Sequence, residues 1–192
     1  MTAEPNYWQV DYPAPKPGGY TVADLPGLVL DLPYELVDGE IMMLAPATQW
    51  HGEAKILVRD MLRRQAPDDL AVVVEKGVEI REDFAPVPDV LVVDRAKVLS
   101  TSLVFEPADV RLVIEVVSPG TRTKDRKHRP VDYAGVGIPN FWLVENENDA
   151  MAFHTYELDP ASSAYIATGI HRDHLEVRQP YQVTAEISAV TW

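Results

Sequence analysis

The chain has 192 residues, 46% of them hydrophobic and 24% charged, with a formal net charge of -13 and no cysteine. That length suits one domain with a sizeable core, and the lack of cysteine excludes disulfides and thiolate metal sites while leaving the compartment open. The acidity argues against avid duplex binding, because nucleic acid repels acidic proteins, although it equally serves solubility.

The first stretch, "MTAEPNYWQVDYPAPKPGGY", is rich in Pro and Gly and lacks periodicity. It predicts an extended N-terminal arm over residues 1–20, with a single domain over 21–192. It also lacks the basic start and apolar core of an export signal. No apolar run approaches the roughly 20 residues that span a bilayer, so a cytoplasmic location without membrane contact is expected. "TVADLPGL" reads as a short helix capped by Thr21 or Asp24. In "YELVDGEIMMLAP" the Asp38-Gly39 pair predicts a tight hairpin turn.

"TQWHGEAKILVRDMLRRQ" carries Trp50, Ala54, Leu57, Val58, Met61 and Leu62 at helical spacing, with Thr48 as cap and Pro67 as stop. "LAVVVEKGVEI" predicts a strand bent near Gly77. "PDVLVVD" and "RLVIEVV" are short and valine-rich, as expected of central strands covered on both faces. "DRKHRPVDYAGVG" predicts a helix ending near Gly135–Gly137, with Pro130 forcing a late start or a kink. "NFWLVE" is a further strand, with Phe141 and Trp142 in the core. "MAFHTYEL", "AYIATGI" and "LEVRQPYQV" alternate and predict an antiparallel meander. Tyr133 is assigned to packing, and His154, His171 and His174 to surface strands and turns. The order of elements gives a mixed β-sheet with flanking helices, in the α/β (α+β) class.

Two acids stand out within this pattern. Glu115 interrupts the apolar run Leu112–Val117, and Asp89 opens a valine strand behind Pro86 and Pro88. An unpaired buried carboxylate costs several kcal/mol. If the two strands pair, the acids project from one region of sheet and raise each other's pKa. A hard divalent ion relieves that repulsion, and Mg²⁺ characteristically takes one or two protein carboxylates and keeps several waters. The alternative is that Asp89 caps a turn while Glu115 faces solvent or an arginine. The cations are concentrated elsewhere: "RTKDRKHR" (Arg122 to Arg129) holds five Lys/Arg and one His in eight residues, a segment suited to phosphates flanking a cut.

"YELVDGEI", a His opening the following helix, "PDVLVV", "IEVVSPGTRTKDR", "YAGVGIPNFWLVE" and "QPYQVTAEISAV", taken in order, resemble the Uma2 family of restriction-endonuclease-like proteins in the PD-(D/E)XK nuclease superfamily. The resemblance runs from about Tyr20 to the C-terminus. It implies a restriction-endonuclease-like αβββαβ core with extra N- and C-terminal β-hairpins. It also implies a metal-dependent endonuclease that uses Mg²⁺ or Mn²⁺ to hydrolyse nucleic acid, DNA ahead of RNA. Asp89 and Glu115 map onto the family's acids, the carbonyl of Val116 onto the backbone ligand, and Glu35 and His51 onto family positions on the hairpin and first helix. The superfamily's lysine two residues beyond the strand acid is replaced here by Val117. Uma2-like sequences carry instead a helix lysine in a pattern Asp-Arg-x-x-Lys, and Asp125-Arg126-Lys127-His128-Arg129 puts Arg129 at that place. Arginine keeps the charge and can grip a phosphate bidentately, but with a pKa above about 12 it moves no proton near neutrality. Lys127 or Lys124 would have to do that from another angle. Helical geometry sets Lys127 about 200° round from Arg129. A competing reading keeps the fold and drops the chemistry, leaving a catalytically weakened or inactive protein that acts as a binding or assembly module. A homodimer is expected, since symmetric duplexes suit two-fold assemblies.

Overall fold

The computed structural model describes residues 12–44, 46–98, 102–187 and 190. The first eleven residues of the expected arm, and Ser188 and Ala189 near the C-terminus, lie outside the described residues. Thr21 and Asp24 form a reciprocal capping box on a 3₁₀ turn, Val22–Gly27. Strands β1 (Tyr34–Val37) and β2 (Glu40–Met43) pair antiparallel across the Asp38-Gly39 turn, where φ is +49° and +81°. These left-handed angles explain Asp-Gly at this site. A Cβ on Gly39 would also lie 3.2 Å from the Cα of Gly19. Gly39→Ala is therefore expected to cost roughly 1–2 kcal/mol, read as a lower urea midpoint at unchanged m-value.

Helix α1 (Gln49–Arg63) starts where the Thr48 hydroxyl accepts from the His51 N–H. Strand β3 (Leu70–Val74) follows, then the two-residue β4 (Gly77–Val78), β5 (Val90–Asp94) and β6 (Val104–Phe105), which pairs parallel with β4. Next come β7 (Val110–Val116), α2 (Arg129–Gly135), β8 (Asn140–Glu147), β9 (Ala150–Asp159), β10 (Ala164–His171), β11 (His174–Val177) and β12 (Val183–Glu186). The central sheet has the order β10-β9-β8-β7-β5-β3. Only β7 and β8 run parallel in it, because α2 carries the chain back between them, as a parallel pair requires. The succession α1, β3, β5, β7, α2, β8 is the expected αβββαβ core.

Alternation along β5 and β7 divides the core in two. Val90, Val92, Leu112, Ile114 and Val116 meet Trp50, Ala54, Val58 and Leu62 of α1 on one face. Leu91, Val93, Val113 and Val117 meet Tyr133 of α2 and Phe141 on the other. Both faces are covered, which is why these strands read as apolar runs. The predicted meander ends at β10. Among the described residues, strands β11 and β12 pair only with each other; they return to the α1 side, with Leu175 and Val183 in that core and the Tyr181 hydroxyl donating to the Leu62 carbonyl at 2.9 Å. No described helix is long and apolar enough to cross a membrane.

Pro130 is accommodated by a wide π-helical turn, Lys124–His128, ahead of α2. The proline then sits in the first turn of α2, where its missing N–H costs nothing. The same turn brings Lys124, Asp125 and Arg129 to the inner side, while Arg126, Lys127 and His128 are exposed.

Candidate active site

The register of β5 and β7 opens a gap at one end of the sheet. Val90 lies opposite Ile114, the last pair of that ladder, and continuing the count past it sets Asp89, at a bend, against Glu115 and Pro88 against Val116. A residue's N–H and C=O point to the same side of a strand. Pro88 has no N–H to give, so the ladder stops there and the Val116 carbonyl is left facing the Pro88–Asp89 corner. The Asp89 side chain replaces the missing strand partner, its Oδ2 accepting from Val116 N–H at 2.8 Å. The Pro-Asp pair thus stops the ladder and puts a carboxylate in its place.

Oδ2 of Asp89 also lies 3.1 Å from His51 Nε2. A carboxylate only accepts, so the imidazole donates through Nε2; its Nδ1 is buried with no hydrogen-bond partner. No hydrogen bond among the described residues falls on Asp89 Oδ1. Glu115, 6% exposed, takes the Tyr133 hydroxyl on Oε1 at 2.8 Å. Burial, and after it the Asp125 and Asp89 carboxylates, hold Glu115 well above the usual carboxylate range, against the pull of Arg129 and Tyr133. Burial likewise pushes Asp125 up to about 6, with Asp89 adding to it and the Thr121 hydroxyl, Arg129 and Lys124 opposing.

Glu35 reaches the same place from β1. Its neighbour Leu36 packs on Leu25 and Ala85 and exchanges backbone hydrogen bonds with Ala85. Alternation turns Glu35 the other way. Its Oε2 accepts from Arg129 at 2.5 Å and its Oε1 from Lys124. Arg129, 2% exposed, has its Nε 3.8 Å from Glu115 Oε1 and its guanidinium over the Phe84 ring.

Glu35, His51, Asp89, Glu115, Lys124, Asp125 and Arg129 line one cleft of about 1070 Å³. Lys127 stands apart from it: it is exposed on the outer side of the π turn, and Lys124 is the lysine that enters the cleft. Val117 is buried in the core beneath α2, so the cation near Glu115 arrives from the helix. Asp125 and the Tyr133 hydroxyl were not singled out by the sequence. The spacing Asp125–Arg129 is the i, i+4 pattern of paired side chains and was the available signal. His154, His171 and His174 do not line the cleft, and His154, expected at the surface, has a buried Nε2 with no partner.

No three His, Asp or Glu side chains among the described residues gather as a ready-made ligand cage. The donor set that does exist fits an ion that keeps its waters: two carboxylates at paired register positions, a carbonyl released from the ladder, and a Glu115 pKa raised partly by neighbouring negative charge. Hard oxygen donors of this kind suit Mg²⁺ or Mn²⁺.

The family model for Uma2, described as "Putative restriction endonuclease", matches residues 24–187. A search of curated proteins gives no match. Among solved structures, a protein from Anabaena variabilis described as "a putative nuclease belonging to DUF820" superposes with a TM-score of 0.60 at 14% identity, over 83% of this chain and 89% of that one. NucC of P. aeruginosa in its cAAA-bound form is more distant, at a TM-score of 0.38 and 12% identity over 60% of this chain and 70% of that one. The first of these likenesses shows a shared fold, and the match over residues 24–187 shows the family: the chain belongs to Uma2, the restriction-endonuclease-like proteins.

Proposed function

We propose that this protein hydrolyses phosphodiester bonds of nucleic acid with the help of one divalent ion, Mg²⁺ or Mn²⁺, held by Asp89, Glu115 and the Val116 carbonyl. The observation that carries this reading is the register of β5 and β7, whose last pair Val90–Ile114 sets Asp89 against Glu115, beside a further carboxylate, the buried Asp125. Nuclease chemistry follows the family's description, and DNA stands ahead of RNA on the same ground. When bound, the ion polarises a phosphoryl oxygen and lowers the pKa of a water.

The chain's own residues supply positioning and charge. His51 and the Val116 N–H fix the Asp89 carboxylate through Oδ2, leaving Oδ1 without a hydrogen bond among the described residues. Tyr133 fixes Glu115 through Oε1. Glu35 holds the Arg129 guanidinium beside Glu115, where it opposes charge that builds on a phosphate in the transition state. Lys124 adds a second positive group on the same anchor. In the assay, purified protein is incubated with supercoiled and single-stranded DNA in Mg²⁺ or Mn²⁺. Asp89→Asn is expected to lose at least about 100-fold in rate; equal inertness of wild type and variant would end the nuclease reading.

The non-catalytic alternative draws on two observations. The net charge is -13, and Glu35 already neutralises Arg129. It predicts a protein that keeps its fold and partners when Asp89 is replaced and shows no cutting in any metal.

A further inference from the structure

The cleft is charged at its floor, and its exposed lining mixes leucines with the acids Asp31 and Glu75. Glu35 and Glu115 are 5% and 6% exposed, whereas Leu32 and Leu103 at the opening are 42% and 40% exposed. Leu30 and Leu44 continue the apolar wall. A duplex carries its phosphates outermost, about one charge per 1.7 Å of axis, so a groove that receives it sets cations along the lip. Here the exposed lining carries leucines and the acids Asp31 and Glu75, with Lys55 held on Glu75. The cations are also committed: ten of the 17 Lys and Arg residues lie within 4.0 Å of a carboxylate among the described residues. Lys124 and Lys55, which face the cleft, are two of them. Lys76, also in the cleft wall, donates to the Ser102 carbonyl.

We propose that the site takes single-stranded nucleic acid in preference to duplex. The phosphodiester descends to the acidic floor, and bases swung away from it rest against the exposed leucines Leu32 and Leu103 of the lining. An unpaired base has an apolar face to bury, and burying it against leucine is favourable in proportion to area. A base locked in a duplex cannot offer that face. The cleft's volume, about 1070 Å³, is of the size that encloses a small ligand and suits a few unstacked nucleotides. This inference rests on the phosphodiesterase reading and narrows its substrate.

The test uses fluorescein-labelled pentanucleotides of deoxythymidine and of uridine beside a labelled hairpin duplex. Binding is read by anisotropy in Ca²⁺ and cutting by gel in Mn²⁺. Single strands are expected to bind at least roughly tenfold tighter than the duplex, with a shallow salt dependence matching about two or three phosphate contacts. Leu32→Ser and Leu103→Ser, both at exposed positions, should each weaken single-strand binding roughly threefold to tenfold at unchanged Tm. The two oligomers separate DNA from RNA as the source of the strand. Duplex bound as tightly and cut as fast as single strands would overturn this inference and leave the phosphodiesterase reading standing. Single-strand binding insensitive to both leucine variants would also overturn it. Failure to bind or cut any of the three would overturn both.

Discussion

Glu115→Gln is expected to raise the stability of the metal-free protein at alkaline pH while removing the proposed nuclease activity. Burial and the Asp125 and Asp89 carboxylates hold the Glu115 pKa above its ordinary 4.5. A carboxyl raised in the folded state takes up its proton on folding, so it costs stability once the pH rises past the value of the unfolded chain. Below about pH 4.5 both states are protonated and the cost vanishes. Glutamine removes the charge and keeps an oxygen for the Tyr133 hydroxyl. The Tm of Glu115→Gln should therefore exceed wild type at pH 8 and match it near pH 4. Asp125→Asn should behave alike, its cost growing between 3.8 and about 6 and reaching at most about 3 kcal/mol above that window. Activity of Glu115→Gln should fall by at least about 100-fold. A variant less stable than wild type at pH 8 would mean that Glu115 is a structural anchor for Tyr133.

Arg129→Met is expected to cost about 3–5 kcal/mol, measured by urea unfolding. Arg129 and Glu35 bury each other's charge at 2.5 Å, and a buried pair broken from one side leaves the other charge stranded. Lys124 stays on Glu35 but is more than a third exposed, so it compensates only in part. Replacing both partners, as Glu35→Met with Arg129→Met, should recover over half of the loss, because the cost lies in the stranded charge. Arg129→Lys keeps the positive charge, so its activity in the proposed reaction should stay within about tenfold of wild type. A single variant as costly as the double would show that the guanidinium matters for packing over Phe84 and not for charge.

Much of the fold was legible because burial leaves a period. Leu112–Val117 is apolar at every position but one since α1 and α2 cover both faces of β7, and Asp38-Gly39 announced a turn that needs left-handed angles. The departure of β11 and β12 from the sheet was not legible, because alternation records which residues are buried and not which strand they lie beside. In the cleft, Asp89 and Glu115 could be paired only on the supposition that their strands are neighbours; the Val116 carbonyl needed the register itself. Asp125 was hidden in a run of cations that looked uniformly solvated. It took the π turn, which no periodicity predicts, to turn Asp125 and Arg129 inward and leave Lys127 outside. The Tyr133 hydroxyl was masked by the ring, whose place in the core is equally true.

Anomalous diffraction from crystals soaked in Mn²⁺ near pH 7.5 gives the most direct measurement of whether two strands share one ion. One strong peak is expected within roughly 2.5 Å of an oxygen from Asp89, an oxygen from Glu115 and the carbonyl of Val116, and no such peak in Glu115→Gln. A peak that touches only one of the two acids, or an empty cleft at saturating Mn²⁺, would contradict metal-dependent hydrolysis here and leave a nuclease fold without the chemistry.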